Sequence, residues 1–182
     1  MEGRQKTILM TILDQFKVIT TFVFDVDGVL TDGTVYVFDE GQQVRRMSIR
    51  DGFALQLAIK NGYRVLVISG GDSPAVAARL KKLGVGDVFM NVHDKRAVLL
   101  QYMKEHQLNR NEVLYLGDDI PDIAAMNEAG FPCAPADAAP EIIKIATYIT
   151  KSPGGQGCAR EVIEKVMKLN GHWKLDTEVP SR

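Results

Sequence analysis

The chain has 182 residues, 46% of them hydrophobic and 25% charged, and a chain of this size buries roughly 70% of its unfolded surface, enough for a full core without disulfide or metal staples. With 22 Lys and Arg against 23 Asp and Glu the net charge is -1, so there is no basic excess to hold a nucleic-acid backbone or an anionic membrane. Cys133 and Cys158 lie far apart and outside any CxxC or Cys/His cluster, which excludes a disulfide framework and a zinc site and leads us to expect a reducing cytoplasm. Residues 1–17 interrupt a short apolar run with Asp14 and Lys17 and offer no small-residue cleavage site. They read as an N-terminal extension rather than a signal peptide or membrane span.

From residue 18 onward, apolar runs of strand length alternate with helical patterns. Residues 18–24 (VITTFVF) read as a buried strand that ends at the acidic turn Asp25-Val-Asp27-Gly28. Two alternating β-forming stretches, 34–38 and 43–49, flank Asp39-Glu-Gly-Gln42 and predict a small hairpin. A helix is predicted from Gly52 to the stop at Asn61-Gly62, followed by a buried strand at 64–68. Ser69-Gly-Gly-Asp-Ser-Pro74 is a polar turn, with Pro74 placed to open a helix that Gly84 stops. Beyond it the pattern predicts a short strand at 87–90, a helix at 95–106, a strand at 112–116 and a helix at 120–129. Weaker strands at 131–134 and 147–150 flank a helix near 140–145, and an amphipathic helix fills 159–169. This order predicts an α/β fold, a parallel sheet with helices on both faces, in one domain over residues 18–170. The polar residues 171–182 read as a tail, mobile from Lys174 onward.

Strand ends carry the reactive side chains. Asp25 and Asp27 follow the first strand, Ser69, Gly70 and Gly71 the second, and Asp118, Asp119 and Asp122 a later one, so a parallel sheet gathers them at one edge. Several carboxylates in one small volume repel each other and raise each other's pKa unless a cation sits among them. An oxygen-only donor set with an open position suits Mg²⁺. Any single one of these Asp residues could be no more than a turn or helix-cap residue. As a set they suit phosphoryl transfer, with Asp25 as nucleophile and Asp27 as the proton donor and acceptor. Ser69 with the amides of Gly70 and Gly71 is placed to cradle the phosphoryl oxygens, and Lys95 to neutralise charge.

DVDGVLTDG at 25–33, the strand ending in Ser69-Gly70, Lys95, and GDDIPD at 117–122 resemble, in order and spacing, the motifs of the haloacid dehalogenase superfamily of phosphohydrolases. Together with the hairpin, Ser48-Ile49-Arg50-Asp51-Gly52, and Gly154-Gly-Gln-Gly-Cys-Ala-Arg-Glu161, the chain is similar to the 3-deoxy-D-manno-octulosonate 8-phosphate (KDO 8-phosphate) phosphatases over nearly everything after residue 18. The resemblance implies a Rossmann-like fold and Mg²⁺ held by Asp25, Asp118 and the backbone carbonyl of Asp27. It also implies a substrate site that includes residues 48–52 and Arg79, and the hydrolysis of KDO 8-phosphate in lipopolysaccharide precursor synthesis. Gly71 and Gln56 stand where the family often carries Arg, which leaves a related nonulosonate (KDN or sialic acid) 9-phosphate open as the substrate. A receiver-like phosphoacceptor or a regulatory module is the non-enzyme alternative, and Asp27 argues against a receiver.

Only the hairpin and one helix lie between Gly28 and Ser69, which leaves no room for a cap domain over the site. Walls must then come from elsewhere. In the resembled family they come from a tetramer whose hairpins associate, and Val35, Tyr36, Val37 and Phe38 give this hairpin apolar side chains on both faces. Gly154–Gly157 reads either as a flexible segment able to reach a site or as a turn before the last helix.

Overall fold

The computed structural model describes residues 11–174. Its strands are β1 (Thr21–Phe24), β2 (Tyr36–Val37), β3 (Gln43–Val44), β4 (Arg64–Ile68), β5 (Asp87–Phe89), β6 (Val113–Leu116), β7 (Phe131–Ala134) and β8 (Tyr148–Ile149). β2 and β3 pair antiparallel as the expected hairpin, and the other strands form one six-stranded parallel sheet in the order β5-β4-β1-β6-β7-β8. The chain leaves β1 toward β4 and β5, then returns to the opposite side of β1 at β6. The crevice beyond the carboxyl ends of β1 and β6 is therefore the switch point at which such sheets bind ligands.

The helices are α1 (Ile12–Lys17), α2 (Ile49–Lys60), α3 (Pro74–Lys82), α4 (Lys95–Glu105), α5 (Ile123–Met126), α6 (Pro140–Ile145) and α7 (Cys158–Leu169). Alternate side chains of each strand point to opposite faces. Phe22, Phe24, Val65 and Val67 pack on one face with Leu80 of α3, Ala58 of α2 and Val162 of α7, while Val23, Leu66 and Ile68 pack on the other with Leu99 of α4, Met126 of α5 and Ile142 of α6. No helix among the described residues is long and apolar enough to cross a membrane. Residues 175–182, most of the stretch expected to be mobile, lie outside the described residues.

The structure departs from the pattern in three places. α1 is unpredicted: Thr11 and Asp14 cap each other's backbone amides, and Phe16 sinks into the core edge-to-face with Phe131 (4.6 Å) and Tyr148 (5.2 Å). Part of the expected extension thus packs on the sheet. α2 begins at Ile49 rather than Gly52, because the Ser48 hydroxyl accepts the Asp51 amide at 3.2 Å and caps a first turn that takes Ile49 from the strand expected over 43–49, of which Gln43–Val44 forms. The helix expected over 120–129 divides into a 3-10 turn, Ile120–Asp122, and the short α5, since Pro121 disfavours α geometry at the residue before it.

A brace of distant residues supports the turn after β1. Asp51, 2% exposed, accepts hydrogen bonds from the amides of Gly157 (3.1 Å) and Arg160 (2.7 Å), tying the start of α2 to the start of α7. Just before α7, the Gly155 amide donates to the Val29 carbonyl at 2.8 Å, and a Cβ on Gly154 would stand 2.0 Å from the Gly28 carbonyl oxygen. Gly154–Gly157 is therefore a turn packed behind the acidic loop, and at Gly154 and Gly155 no side chain fits. Replacing Asp51 with Ala leaves two buried amides without an acceptor, and we expect a loss of about 3 kcal/mol, read from the urea midpoint at unchanged m. An unchanged midpoint would remove the brace.

Candidate active site

Asp25 follows β1 directly, and its amide donates to the Leu116 carbonyl of β6 at 3.2 Å, so the two strand ends are locked side by side. Asp118 comes off β6 one residue further on. Gly28 turns the chain back at φ +84°, and a Cβ there would stand 2.0 Å from Asp118 Oδ2. Glycine thus serves both the turn and the close approach. Asp25, Asp118 and Asp122 each offer a carboxylate oxygen within 4.8 Å of the others.

Asp122 organises the cluster. Its Oδ1 accepts from Lys95 Nζ and from the Tyr115 hydroxyl, both at 2.8 Å, and its Oδ2 accepts the Asp118 amide at 3.2 Å. Lys95 opens α4 with Asp94 as its cap, and its Nζ also lies 2.9 Å from Asp25 Oδ1. Burial and the charge of Asp122 push the Asp25 carboxyl up to about 7, against the pull of Lys95. Burial, then Asp25, Asp122 and Asp119, lift Asp118 to about 7 as well. Burial works against the Lys95 ammonium, yet Asp122 and Asp25 outweigh it and hold it above its ordinary value. Three carboxylates against one ammonium leave two negative charges uncompensated, a deficit that a divalent cation matches.

The donors fit such an ion. Both oxygens of Asp122 are engaged, whereas Asp118 Oδ1 is buried without a hydrogen-bond partner. Direct ligation would fall to Asp25 and Asp118, with Asp122 holding Asp118 and Lys95 in place. An all-oxygen set suits Mg²⁺.

The cavity at this point, about 290 Å³, is lined by Asp25, Asp27, Gly33, Ser69, Gly70, Gly71, Lys95, Asp118, Asp119, Pro121 and Asp122. Ser69 is 1% exposed at the end of β4, and its Oγ accepts the Gly71 amide at 3.1 Å. The amide expected to cradle a phosphoryl group is thus spent on Ser69, which keeps its hydroxyl proton to donate. Asp119 turns one oxygen to the Ile120 amide at 2.8 Å. Asp27 is gripped by Arg45, Nε to Oδ1 at 2.7 Å and Nη2 to Oδ2 at 3.1 Å.

The residues expected to meet the rest of the substrate are dispersed. Ile49 and Arg79 line a neighbouring cavity of about 340 Å³ with Arg45, Gln43 and Ser73, and the Arg79 guanidinium lies against Gly52. Arg50 lines a different cavity, about 510 Å³, with Arg160 and Lys168. Ser48 caps α2, and Asp51 is the internal brace. Gln56 donates to the Gly52 carbonyl at 3.4 Å. Sequence reasoning missed Tyr115 and Arg45. A Tyr in a buried aliphatic strand requires a polar partner, which was a readable signal, but nothing in the sequence indicates which of the hairpin's two arginines turns inward.

The profile of haloacid dehalogenase-like hydrolases matches residues 82–162. The chain is 32% identical to the 3-deoxy-D-manno-octulosonate 8-phosphate phosphatase KdsC of Escherichia coli over 158 residues, 87% of this chain and 83% of that one. It superposes on the crystal structure of the phosphatase of that name from Yersinia pestis with a TM-score of 0.86 at 28% identity, covering 88% of this chain and 87% of that one. It also superposes on the Moraxella catarrhalis phosphatase, solved with magnesium, phosphate and KDO, with a TM-score of 0.83 at 33% identity, covering 87% and 91%. Sequence along nearly the whole chain and the course of its backbone thus agree with the acidic crevice between β1 and β6, and the chain belongs to the 3-deoxy-D-manno-octulosonate 8-phosphate phosphatase family of haloacid dehalogenase-like hydrolases.

Proposed function

We propose that the chain hydrolyses KDO 8-phosphate to KDO and phosphate through a phosphoryl-Asp25 intermediate, with Mg²⁺ as cofactor. The observation that carries this reading is the buried Asp25–Lys95–Asp122–Asp118 cluster at the floor of a cavity whose rim holds Asp27 and Ser69. Asp25, Asp118 and the Asp27 carbonyl would hold Mg²⁺, which supplies positive charge for the transferring phosphoryl oxygens. Asp25 attacks phosphorus in line, and the bond from phosphorus to the sugar oxygen breaks as Asp27 gives that oxygen a proton. Water then attacks the same phosphorus, Asp27 takes its proton, and the Asp25 carboxylate is released with inorganic phosphate. Ser69 and Lys95 orient the phosphoryl group in both steps.

The open site calls for a neighbour. Tyr36 and Val37 are 66% and 67% exposed in β2 of the hairpin, with Val35, Phe38 and Val44 also exposed beside them. We assign this patch to a homotetramer in which hairpins meet and an adjoining subunit walls the sugar site, a role that the missing cap leaves unfilled.

Asp25→Asn is expected to abolish phosphate release, and Asp27→Asn to slow it by about 10²-fold, in a steady-state assay that is silenced by chelation. KDO 8-phosphate should be turned over faster than a nonulosonate 9-phosphate, and the reverse order would move the substrate to the latter. The raised Asp25 and Asp118 carboxyls bind protons more tightly in the folded chain than their ordinary value of 3.8 allows. Their ionisation therefore costs metal-free stability as pH climbs from about 4 through about 7. Mg²⁺ competes with those protons, so it should raise Tm more at pH 8 than at pH 5, and equal shifts would place the metal elsewhere. Finally, changing Tyr36 and Phe38 to Lys should lower the mass seen by light scattering and raise KM for the sugar phosphate more than for 4-nitrophenyl phosphate. A wild-type monomer with full activity would end the assembly reading.

A further inference from the structure

The hairpin sends one of its two adjacent arginines into the site. The Arg46 side chain is 67% exposed and pairs with Asp32, whereas the Arg45 side chain is 8% exposed and grips Asp27 as a two-pronged fork. Both lie in the short link between β3 and the bridge that pairs Met47 with Thr31. A carboxylate has about four acceptor positions. On Asp27, Oδ1 takes Arg45 Nε at 2.7 Å and the Thr31 hydroxyl at 3.3 Å, while among the described residues Oδ2 takes only Arg45 Nη2 at 3.1 Å. Oδ2 is the oxygen with a free lone pair. It faces Gly71, where a Cβ would stand 3.2 Å from Oδ2 and 3.5 Å from Nη2, so the missing side chain leaves room at that oxygen and at the fork. Gly71 lines the same cavity as Asp25.

We propose that Arg45 is a positioning residue of the reaction: borne by the hairpin, it fixes the rotation of the Asp27 carboxylate and presents Oδ2 to the ester oxygen and then to the attacking water. The proposal rests on the phosphatase reading above. A planar guanidinium fixes both the position and the plane of a carboxylate, which a single-point ammonium does not. Without the fork the Thr31 hydroxyl, 3.3 Å from Oδ1, holds the Asp27 carboxylate at one point and does not fix its plane, and a misplacement of about 1 Å costs on the order of 10²-fold in rate. The hairpin is then part of the catalytic apparatus of its own subunit, apart from any role in assembly.

The test is steady-state kinetics with 4-nitrophenyl phosphate on the wild type, Arg45→Ala, Arg45→Lys and the adjacent Arg46→Ala. Arg45→Ala should lose about 10- to 10²-fold in kcat with KM within about twofold, since the residue acts on Asp27 rather than on the ester. Arg45→Lys, which keeps the charge but not the fork, should fall between Arg45→Ala and the wild type, and Arg46→Ala should match the wild type. Guanidinium ion added to Arg45→Ala should restore part of kcat and leave Asp27→Asn unaffected. The proposal is overturned if Arg45→Ala keeps its kcat, if its loss lies in KM alone, if guanidinium restores nothing, or if Arg46→Ala loses as much. A wild type that releases no phosphate from any sugar or aryl phosphate overturns the phosphatase reading and this proposal with it, a result distinct from an active wild type with an indifferent Arg45.

Discussion

Electrostatic imbalance at the ends of β1 and β6 is the constraint around which the rest of this molecule is arranged. Two parallel strands running side by side deliver Asp25 and Asp118 to the same point, and Asp122 joins them from the 3-10 turn. One ammonium, Lys95, offsets part of that charge from the N-terminal end of α4. Packing is subordinate to keeping these groups together. Gly28 and Gly117 carry no side chain because Asp118 and Asp122 already occupy the space, and a Cβ on Gly117 would stand 2.7 Å from Asp122. Tyr115, wholly buried, spends its only polar atom on Asp122. Such an arrangement stores repulsion that a divalent cation relieves, which is the same charge a transferring phosphoryl group requires.

The hairpin, small as it is, connects three properties. Its strands expose apolar surface, the inner arginine just after β3 holds Asp27, and the cavity of about 340 Å³ beside it, lined by Arg45 and Arg79, adjoins the acidic cavity through that arginine. A larger insertion would cover the site from above. In the reading proposed above, the hairpin supplies the covering surface and Arg45, directly after β3, orients the Asp27 carboxylate.

Support for the loop that carries Asp25 and Asp27 comes from residues more than a hundred positions away in the chain. Asp51 joins α2 to α7, and the glycines at 154 and 155 lie directly on the backbone of residues 28–31. The turn that carries Asp25 and Asp27 is thus held from behind by backbone contacts that tolerate no side chain. Asp51 of the Arg-Asp-Gly segment and Gly157 of the Gly-rich segment meet in this brace, while Arg50 lines a separate cavity. A buried carboxylate satisfied by helix N-terminal amides is a structural group, whatever its place in a motif.

The alternation of apolar strand-length runs with helical patterns established the parallel sheet, the hairpin and the missing cap, because burial on both faces of a sheet and turn chemistry are local in sequence. It also marked Asp25, Asp27, Ser69, Lys95 and Asp118 for one site, since loops that follow parallel strands share an edge. α1 escaped notice because six residues stabilised by Phe16 against Phe131 and Tyr148 have no local signature strong enough to stand alone. Which arginine of the adjacent pair at 45 and 46 enters the site, which oxygen of Asp27 remains free, and whether Asp51 meets ligand or backbone were decided only in three dimensions. Each depends on the direction of a side chain relative to elements distant in sequence, and that direction is set by register and packing rather than by residue type.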